Sequence, residues 1–322
     1  MASSISSRDY ETLQLIRSSL DQMSKRLEAG ESFSQDQVNG VVDSIQVFAE
    51  RYRHPSEDDF YFRPFVPLGL SGAMEGVLDA GVDLEAYRSL SSALPVDWRK
   101  HVTIVMAMLN EEEGLADLLA ECRRYADEFI AVDGHSTDRT ASIAAKAGAR
   151  VLYDNGKGKG DAIRAAIPHI GRDIAVFMDA DWSHDPADIP KLVQPILANG
   201  ADHVTGSRLL GGSSELHGGF DEFLRLTGSS LITAFIGWRF HQRLSDSQNG
   251  FRAIRTEVLR KLGLQEDITT IEQEMIIKTL KQGYRLAEVP THEYKRRYKE
   301  SHIVLRRVWL KYVSSMLRYL FS

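Results

Sequence analysis

The segment Ala175-Val176-Phe177-Met178-Asp179-Ala180-Asp181 closes an apolar run with two carboxylates two residues apart. Residues i and i+2 of an extended chain share a face, so Asp179 and Asp181 are predicted to converge on one hard cation and the phosphates it bridges. Helix capping is the competing use of such acids, yet Asp185-Pro186 has the form of a helix start that needs neither. A second cluster, Val132-Asp133-Gly134-His135-Ser136-Thr137-Asp138-Arg139-Thr140, joins a strand tip to a helix start. Ser136, Thr137 and Asp138 are N-cap residue types, while Asp133, at the strand end, is placed to accept from a base N–H or a ribose hydroxyl. A third, Asn155-Gly156-Lys157-Gly158-Lys159-Gly160, offers backbone N–H groups and two cationic tips to a diphosphate. It has neither the Walker ending nor dinucleotide-fingerprint spacing. In Ile271-Glu272-Gln273-Glu274 a carboxylate before a helical stretch serves either as general base or as a favourable charge at a helix N-terminus. The ten histidines show no His-Glu-x-x-His spacing and Cys122 is the single cysteine. Zinc hydrolysis and cysteine-nucleophile chemistry therefore rank low.

Short apolar runs alternating with helical stretches must hold these clusters. The runs are 102–109, 128–132, 150–153, 174–178 and 203–205; helices are predicted near 112–125, 138–147, 159–169 and 186–198. This is the grammar of a mostly parallel α/β sheet covered by helices, whose ligands gather beyond the carboxyl ends of the strands. Asn110-Glu111, Asp133-Gly134, Asn155-Gly156 and Asp179-Ala180-Asp181 fall at those ends. Upstream, apolar residues at three- and four-residue steps predict two helices within 8–53, and 1–97 reads as a separate helical region before a domain over 98–290. The tail, 291–322, carries eight Lys and Arg against Glu293 and Glu300. Its apolar residues form a basic amphipathic helix, suited to an anionic bilayer surface or to packing on the domain.

The 322 residues are 43% hydrophobic and 26% charged, with a net charge of −6. Disorder is excluded, and no overall basic field exists to hold nucleic acid. A single cysteine fits a reducing compartment, and no uncharged run reaches the length of a membrane span. The expectation is a cytoplasmic protein, peripheral on the inner face of a membrane if the tail lies on lipid.

Taken in order, these motifs resemble the family 2 glycosyltransferases of GT-A fold, and within them the polyprenyl-phosphate (dolichyl-phosphate) hexose synthases. Leu109-Asn110-Glu111-Glu112 resembles the family's nucleotide-binding segment, and Asp133 to Thr140 its following acidic element, with Gly134 in place of a second acid. Gly158-Lys159-Gly160-Asp161-Ala162 resembles its Gly-Lys-Gly loop, and Met178-Asp179-Ala180-Asp181 with His184 and Pro186 its metal-binding strand. Gly206-Ser207-Arg208, Asp246-Ser247-Gln248-Asn249-Gly250-Phe251-Arg252 and Arg296-Arg297-Tyr298-Lys299-Glu300-Ser301-His302 resemble three later motifs, with Lys299 and His302 standing for glycine and lysine. The resemblance covers 101 to about 310.

It implies a metal-dependent, inverting hexosyl transfer from a GDP- or UDP-linked sugar to a lipid phosphate. Asp179 and Asp181 would hold Mg²⁺ or Mn²⁺. Asn110, Glu111, Asp133, Lys159, Ala180 and Gln248 would line the donor, and Arg208, Arg296 and His302 would grip the acceptor phosphate. Glu272 aligns with the family's catalytic acid and would deprotonate a hydroxyl acceptor. The alternatives are a soluble family 2 enzyme with a small-molecule or polysaccharide acceptor, and a non-catalytic nucleotide-sugar binding module. Residues 24–62 more faintly resemble a hemerythrin-like helical pair, without iron because His54 is the only histidine before His101.

Overall fold

The computed structural model describes residues 94–214, 220–298 and 305–321. The two helices expected within 8–53 and the hemerythrin-like segment lie outside the described residues, as does His302.

A 3-10 turn over Trp98–His101 leads into β1 (Val102–Met108), followed by α1 (Leu115–Cys122), β2 (Glu128–Asp133), α2 (Thr140–Lys146), β3 (Arg150–Tyr153) and α3 (Lys159–Ala166). The chain continues through β4 (Ile174–Phe177), α4 (Ile189–Leu197), β5 (His203–Ser207), α5 (Arg208–Gly211) and α6 (Phe220–Phe240). It ends with β6 (Arg252–Arg255), α7 (Thr256–Lys261), α8 (Ile271–Lys281), β7 (Leu286–Pro290) and α9 (Leu305–Phe321). The seven strands are ordered β3-β2-β1-β4-β6-β5-β7. All neighbours pair in parallel except β6, which runs antiparallel to β4 and β5.

The near-continuous apolar character of β1 follows from burial on both faces. Val102, Ile104, Met106 and Met108 alternate into one core with Leu115 and Leu118 of α1 and Ile189, Leu192 and Val193 of α4. Val105 points the other way, to a second core with Ala162 and Ile163 of α3, Val258 of α7 and Met275 of α8. Two strands, β6 and β7, escape the apolar-run reading. Arg252–Arg255 is four residues long and bounded by arginines, and Leu286–Pro290 carries Glu288 and ends in proline.

A third core joins Ile232, Phe235 and Ile236 of α6 to Ile276 and Ile277 of α8 and to Met316, Leu317, Tyr319 and Leu320 of α9. Of the two uses foreseen for the tail, packing on the domain is the one adopted by the C-terminal half of α9. Among the described residues no helix is long and apolar enough to cross a membrane. Cys122 is buried in α1, and burial pushes its thiol up to about 12.

Candidate functional site

Beyond the carboxyl end of β4 the expected strand geometry gives way to a turn. The strand ends at Phe177, paired with Arg252 of β6; one further bond, Met178 N–H to Val105 O at 3.2 Å, extends it. Trp182 then takes a left-handed backbone, φ 63°, and Ser183 N–H donates to Asp181 Oδ1 at 3.0 Å. Asp179 and Asp181 thus lie just past the strand's end, and each has its own cation. Asp179 Oδ1 is 2.6 Å from Lys159 Nζ, and Asp181 Oδ2 is 3.1 Å from Arg296 Nε.

Lys159 also reaches Glu272 Oε1 at 2.8 Å, joining the start of α3, the β4 turn and the start of α8. Burial alone would discharge this ammonium, but Asp179 and Glu272 override it and hold the group above its usual range. Burial would likewise raise the Asp179 carboxyl; the charge of Lys159 and the nearby His184 ring hold it well below the carboxylate range. His184 Nε2 is 3.8 Å from Asp179 Oδ2. Its ring stacks on Phe251 at 4.9 Å and its Nδ1 is buried without a hydrogen-bond partner. A Cβ on Gly250 would stand 2.6 Å from Lys159 Nζ and 3.0 Å from Glu272 Oε1, so a bare backbone lies over the cluster.

The glycine-rich loop is pressed against backbone as well as presented to the site. A Cβ on Gly160 would fall 2.3 Å from Glu266 O, and Asp161 N–H donates to Asp267 O at 3.0 Å. Arg252 lies beneath, 1% exposed. It donates to Glu272 O at 2.7 Å and to Asn249 O. Arg252 and His184 lie within the sequence motifs, but neither residue type at its position signals a role by itself.

Arg208, first residue of α5, is clamped by Asp246: Nε to Oδ2 at 2.6 Å, Nη2 to Oδ1 at 2.9 Å and its own N–H to Oδ2 at 3.2 Å. Its Nη1 is 3.4 Å from Glu293 Oε1. Gln248 donates to Gln273 Oε1 at 3.0 Å and to Ser247 Oγ at 3.1 Å, and its own Oε1 is buried without a partner. The segment after β7 crosses the β4 turn. Tyr294 N–H donates to Ser183 O at 2.8 Å, and the Arg297 guanidinium lies 4.2 Å from the Trp182 ring centroid, within cation–π range.

Asn110, Glu111 and Asp133 belong to a second arrangement, at the carboxyl ends of β1 and β2. Asp133, 1% exposed, accepts from Ser136 N–H at 3.0 Å and from Ser136 Oγ, whose oxygen accepts Asn110 N–H at 2.8 Å. Asn110 Oδ1 accepts Thr137 N–H at 2.7 Å, and Glu111 N–H donates to Thr140 Oγ1 at 2.7 Å. These bonds zip the two loops together, with Asp133 inside the seam rather than facing outward. Asp138 accepts from Thr140 N–H at 2.9 Å, a bond made from one residue before the N-cap position, which is Arg139 and carries no side-chain cap.

The structure thus gathers Lys159, Asp179 and Glu272 in one cluster, flanks it with Asp181–Arg296 and Arg208–Asp246, and sets Asn110, Glu111 and Asp133 in the adjoining loops. Ala180 is buried between the two aspartates.

Among curated proteins, glycosyltransferase AglJ of Haloferax volcanii is 33% identical over 200 residues, 61% of this chain and 63% of its own length. The dolichyl-phosphate hexose transferase of the same organism is 31% identical over 192 residues, 59% of this chain and 81% of its own. This chain thus spans just under two thirds of the first relative. Glucosyl-3-phosphoglycerate synthase from Mycobacterium tuberculosis, solved with Mn²⁺, uridine diphosphate and phosphoglyceric acid, shares the fold. Its TM-score is 0.56 at 21% identity, covering 73% of this chain and 82% of the other. The mixed sheet with its turn of acids after β4 is thus the GT-A arrangement, and residues 103–263 match the model for glycosyl transferase family 2, to which the chain belongs.

Proposed function

We propose that the protein transfers a hexose from a nucleoside-diphosphate sugar to a polyprenyl-phosphate-type lipid acceptor, with inversion at the anomeric carbon. The observation that carries this reading is the Lys159–Asp179–Glu272 cluster beside Asp181–Arg296 at the carboxyl end of β4. Lys159 and Arg296 supply the positive charge that a diphosphate leaving group requires, and the carboxylates that hold them would take a divalent cation. The relative named dolichyl-phosphate hexose transferase supports the acceptor class, as does one from Methanococcus voltae named UDP-N-acetylglucosamine–dolichyl-phosphate N-acetylglucosaminyltransferase, 26% identical over 215 residues.

A divalent cation suits the donor set. Asp179 and Asp181 offer hard oxygens already held against positive groups, and Asp179 keeps 28% side-chain exposure. Among the described residues no cluster of three or more His, Cys, Asp and Glu side chains could hold a metal ion. The remaining ligands would be phosphate oxygens and water, the usual mode for Mg²⁺. Mn²⁺ with uridine diphosphate in the structural relative supports the pairing. Such an ion would neutralise charge on the departing diphosphate.

The chain's own groups do the rest. Lys159, kept charged by its two acids, presents an ammonium to the leaving group. Arg208 and Arg296 orient anionic oxygens against repulsion from the donor. The bond from the anomeric carbon to the diphosphate breaks as one to the acceptor oxygen forms on the opposite face. A phosphate acceptor is already an anion and needs no base. A hydroxyl acceptor would give its proton to Glu272, and the packing of α9 into the domain favours this soluble-acceptor reading as the second choice.

The test is transfer of radiolabel from GDP-mannose and UDP-glucose, with Mn²⁺ or Mg²⁺, into a polar lipid extract, followed by phase partition. Label in the organic phase that disappears with Asp181→Asn supports the lipid acceptor and names the donor. Label confined to water moves the acceptor to the second reading; no release of sugar from either donor rules out these two donors.

A further inference from the structure

Glu288 stands mid-way along β7, opposite Thr205 of β5, and no motif of the sequence points to it. Its two oxygens bind consecutive backbone groups of the 245–249 loop. Oε2 accepts Ser245 N–H at 2.7 Å and Ser245 Oγ at 3.0 Å, and Oε1 accepts Asp246 N–H at 2.9 Å. The residue thus held, Asp246, grips Arg208 through both carboxylate oxygens. Ser245 Oγ also lies 2.6 Å from Ser207 Oγ, which caps the start of α5 by accepting Leu210 N–H at 3.2 Å. One half-buried carboxylate therefore governs both supports of Arg208: its partner and the first turn of its helix.

We propose that Glu288 is a positioning residue for Arg208, fixing through Ser245 and Asp246 the direction in which that guanidinium meets an anionic substrate group. The substrate half of this statement rests on the glycosyl-transfer reading; the mechanical half does not. Both backbone N–H groups need an acceptor, and only the ionised carboxylate offers one to each at the same time. An amide side chain turns a donor toward one of them, and protonation weakens one of the two oxygens as an acceptor. Burial, then the nearby Asp246 charge against the loop hydrogen bonds, raises the Glu288 carboxyl to about 7, so the two forms exchange near neutrality.

Other charged groups around β7 are already engaged. His203 of β5 is buried and held neutral by burial and by Arg252. Glu272 of α8 is on Lys159, Glu274 and Lys278 of α8 pair with each other, and Lys191 of α4 is on Asp188. Arg285, at the strand entrance, is on Asp202, and Glu293 is shared by Arg208 and Ser213.

The experiment follows hydrogen exchange at Arg208 Nε–H by NMR of the ¹⁵N-arginine-labelled full chain, assigned with Arg208→Lys, from about pH 5.5 to about pH 8.5. In the wild type, protection relative to free arginine is expected to rise with pH through about 7. In Glu288→Gln it should be roughly tenfold lower, the scale of one lost hydrogen bond, and flat with pH. In the hexosyl-transfer assay the same variant should raise the KM for the anionic acceptor roughly tenfold while kcat stays within about threefold. Should Glu288→Gln not fold, Ser245→Ala and the wild-type pH series decide. Protection within about twofold of wild type, or independent of pH in the wild type, overturns the placement. A wild type that transfers no sugar while Arg208 still follows Glu288 would instead sink the glycosyl-transfer reading, and with it only the substrate half.

Discussion

Lys159 Nζ lies 2.6 Å from Asp179 Oδ1, and this contact ties the glycine-rich loop to the acidic turn after β4. With Glu272 at 2.8 Å as second partner, the lysine bridges two largely buried carboxylates, and the His184 ring is the further neighbour of Asp179, at 3.8 Å. Lys159→Met should leave both charges uncompensated and cost about 3 kcal/mol of stability. Urea unfolding checks this, and a loss under about 0.5 kcal/mol would show that water, not the lysine, screens the pair.

The two crowded glycines should behave differently. At Gly250 an added methyl meets the mobile end of Lys159, 2.6 Å away. Gly250→Ala is therefore expected to fold with a penalty near 1 kcal/mol while displacing the ammonium and lowering transfer at least tenfold. At Gly160 the methyl meets the Glu266 carbonyl at 2.3 Å and Asp267 C at 2.8 Å. Backbone cannot swing aside, so Gly160→Ala should cost about 2 to 3 kcal/mol. Thermal melts of the two variants give the ranking, and equal melting points would refute it.

Stability should respond to pH with opposite signs at two carboxyls. Asp179 sits below its unfolded value of 3.8 because Lys159 overcomes burial. Its contribution is complete above that value and disappears as pH falls below it; Asp179→Asn should flatten the acid limb of the unfolding curve.

Glu288 is raised from 4.5 to about 7 by burial. Folding therefore binds a proton, and the stability this supplies is complete below 4.5 and lost as pH rises to about 7. The size is on the order of 3 kcal/mol. Glu288→Gln should remove that decline, and a wild-type curve that stays level between these values would contradict it.

The last helix is part of the fold where its side chains are described. Leu320 is 1% exposed in the core with α6 and α8, so Leu320→Ala should cost about 2 to 4 kcal/mol. If that part of α9 instead lay on lipid, the variant would melt like the wild type and lose only vesicle binding.

The order of strands and helices up to β5, the acids after β4 and the Gly-Lys-Gly loop were legible in the sequence by itself. Apolar periodicity and turn residues are local properties, written within a few positions of one another. The partners of those groups were not. Lys159 meets Glu272 across 113 positions, Arg296 meets Asp181, and Glu288 reaches the loop that holds Arg208. Each contact depends on which strand neighbours which. The antiparallel β6 settles that order in the middle of the sheet, although its four residues carry no periodic signal. The tail's amphipathic pattern was equally compatible with lipid and with protein, since both offer an apolar surface. Only the groove that α6 and α8 leave open decides that the C-terminal half of α9 is buried there.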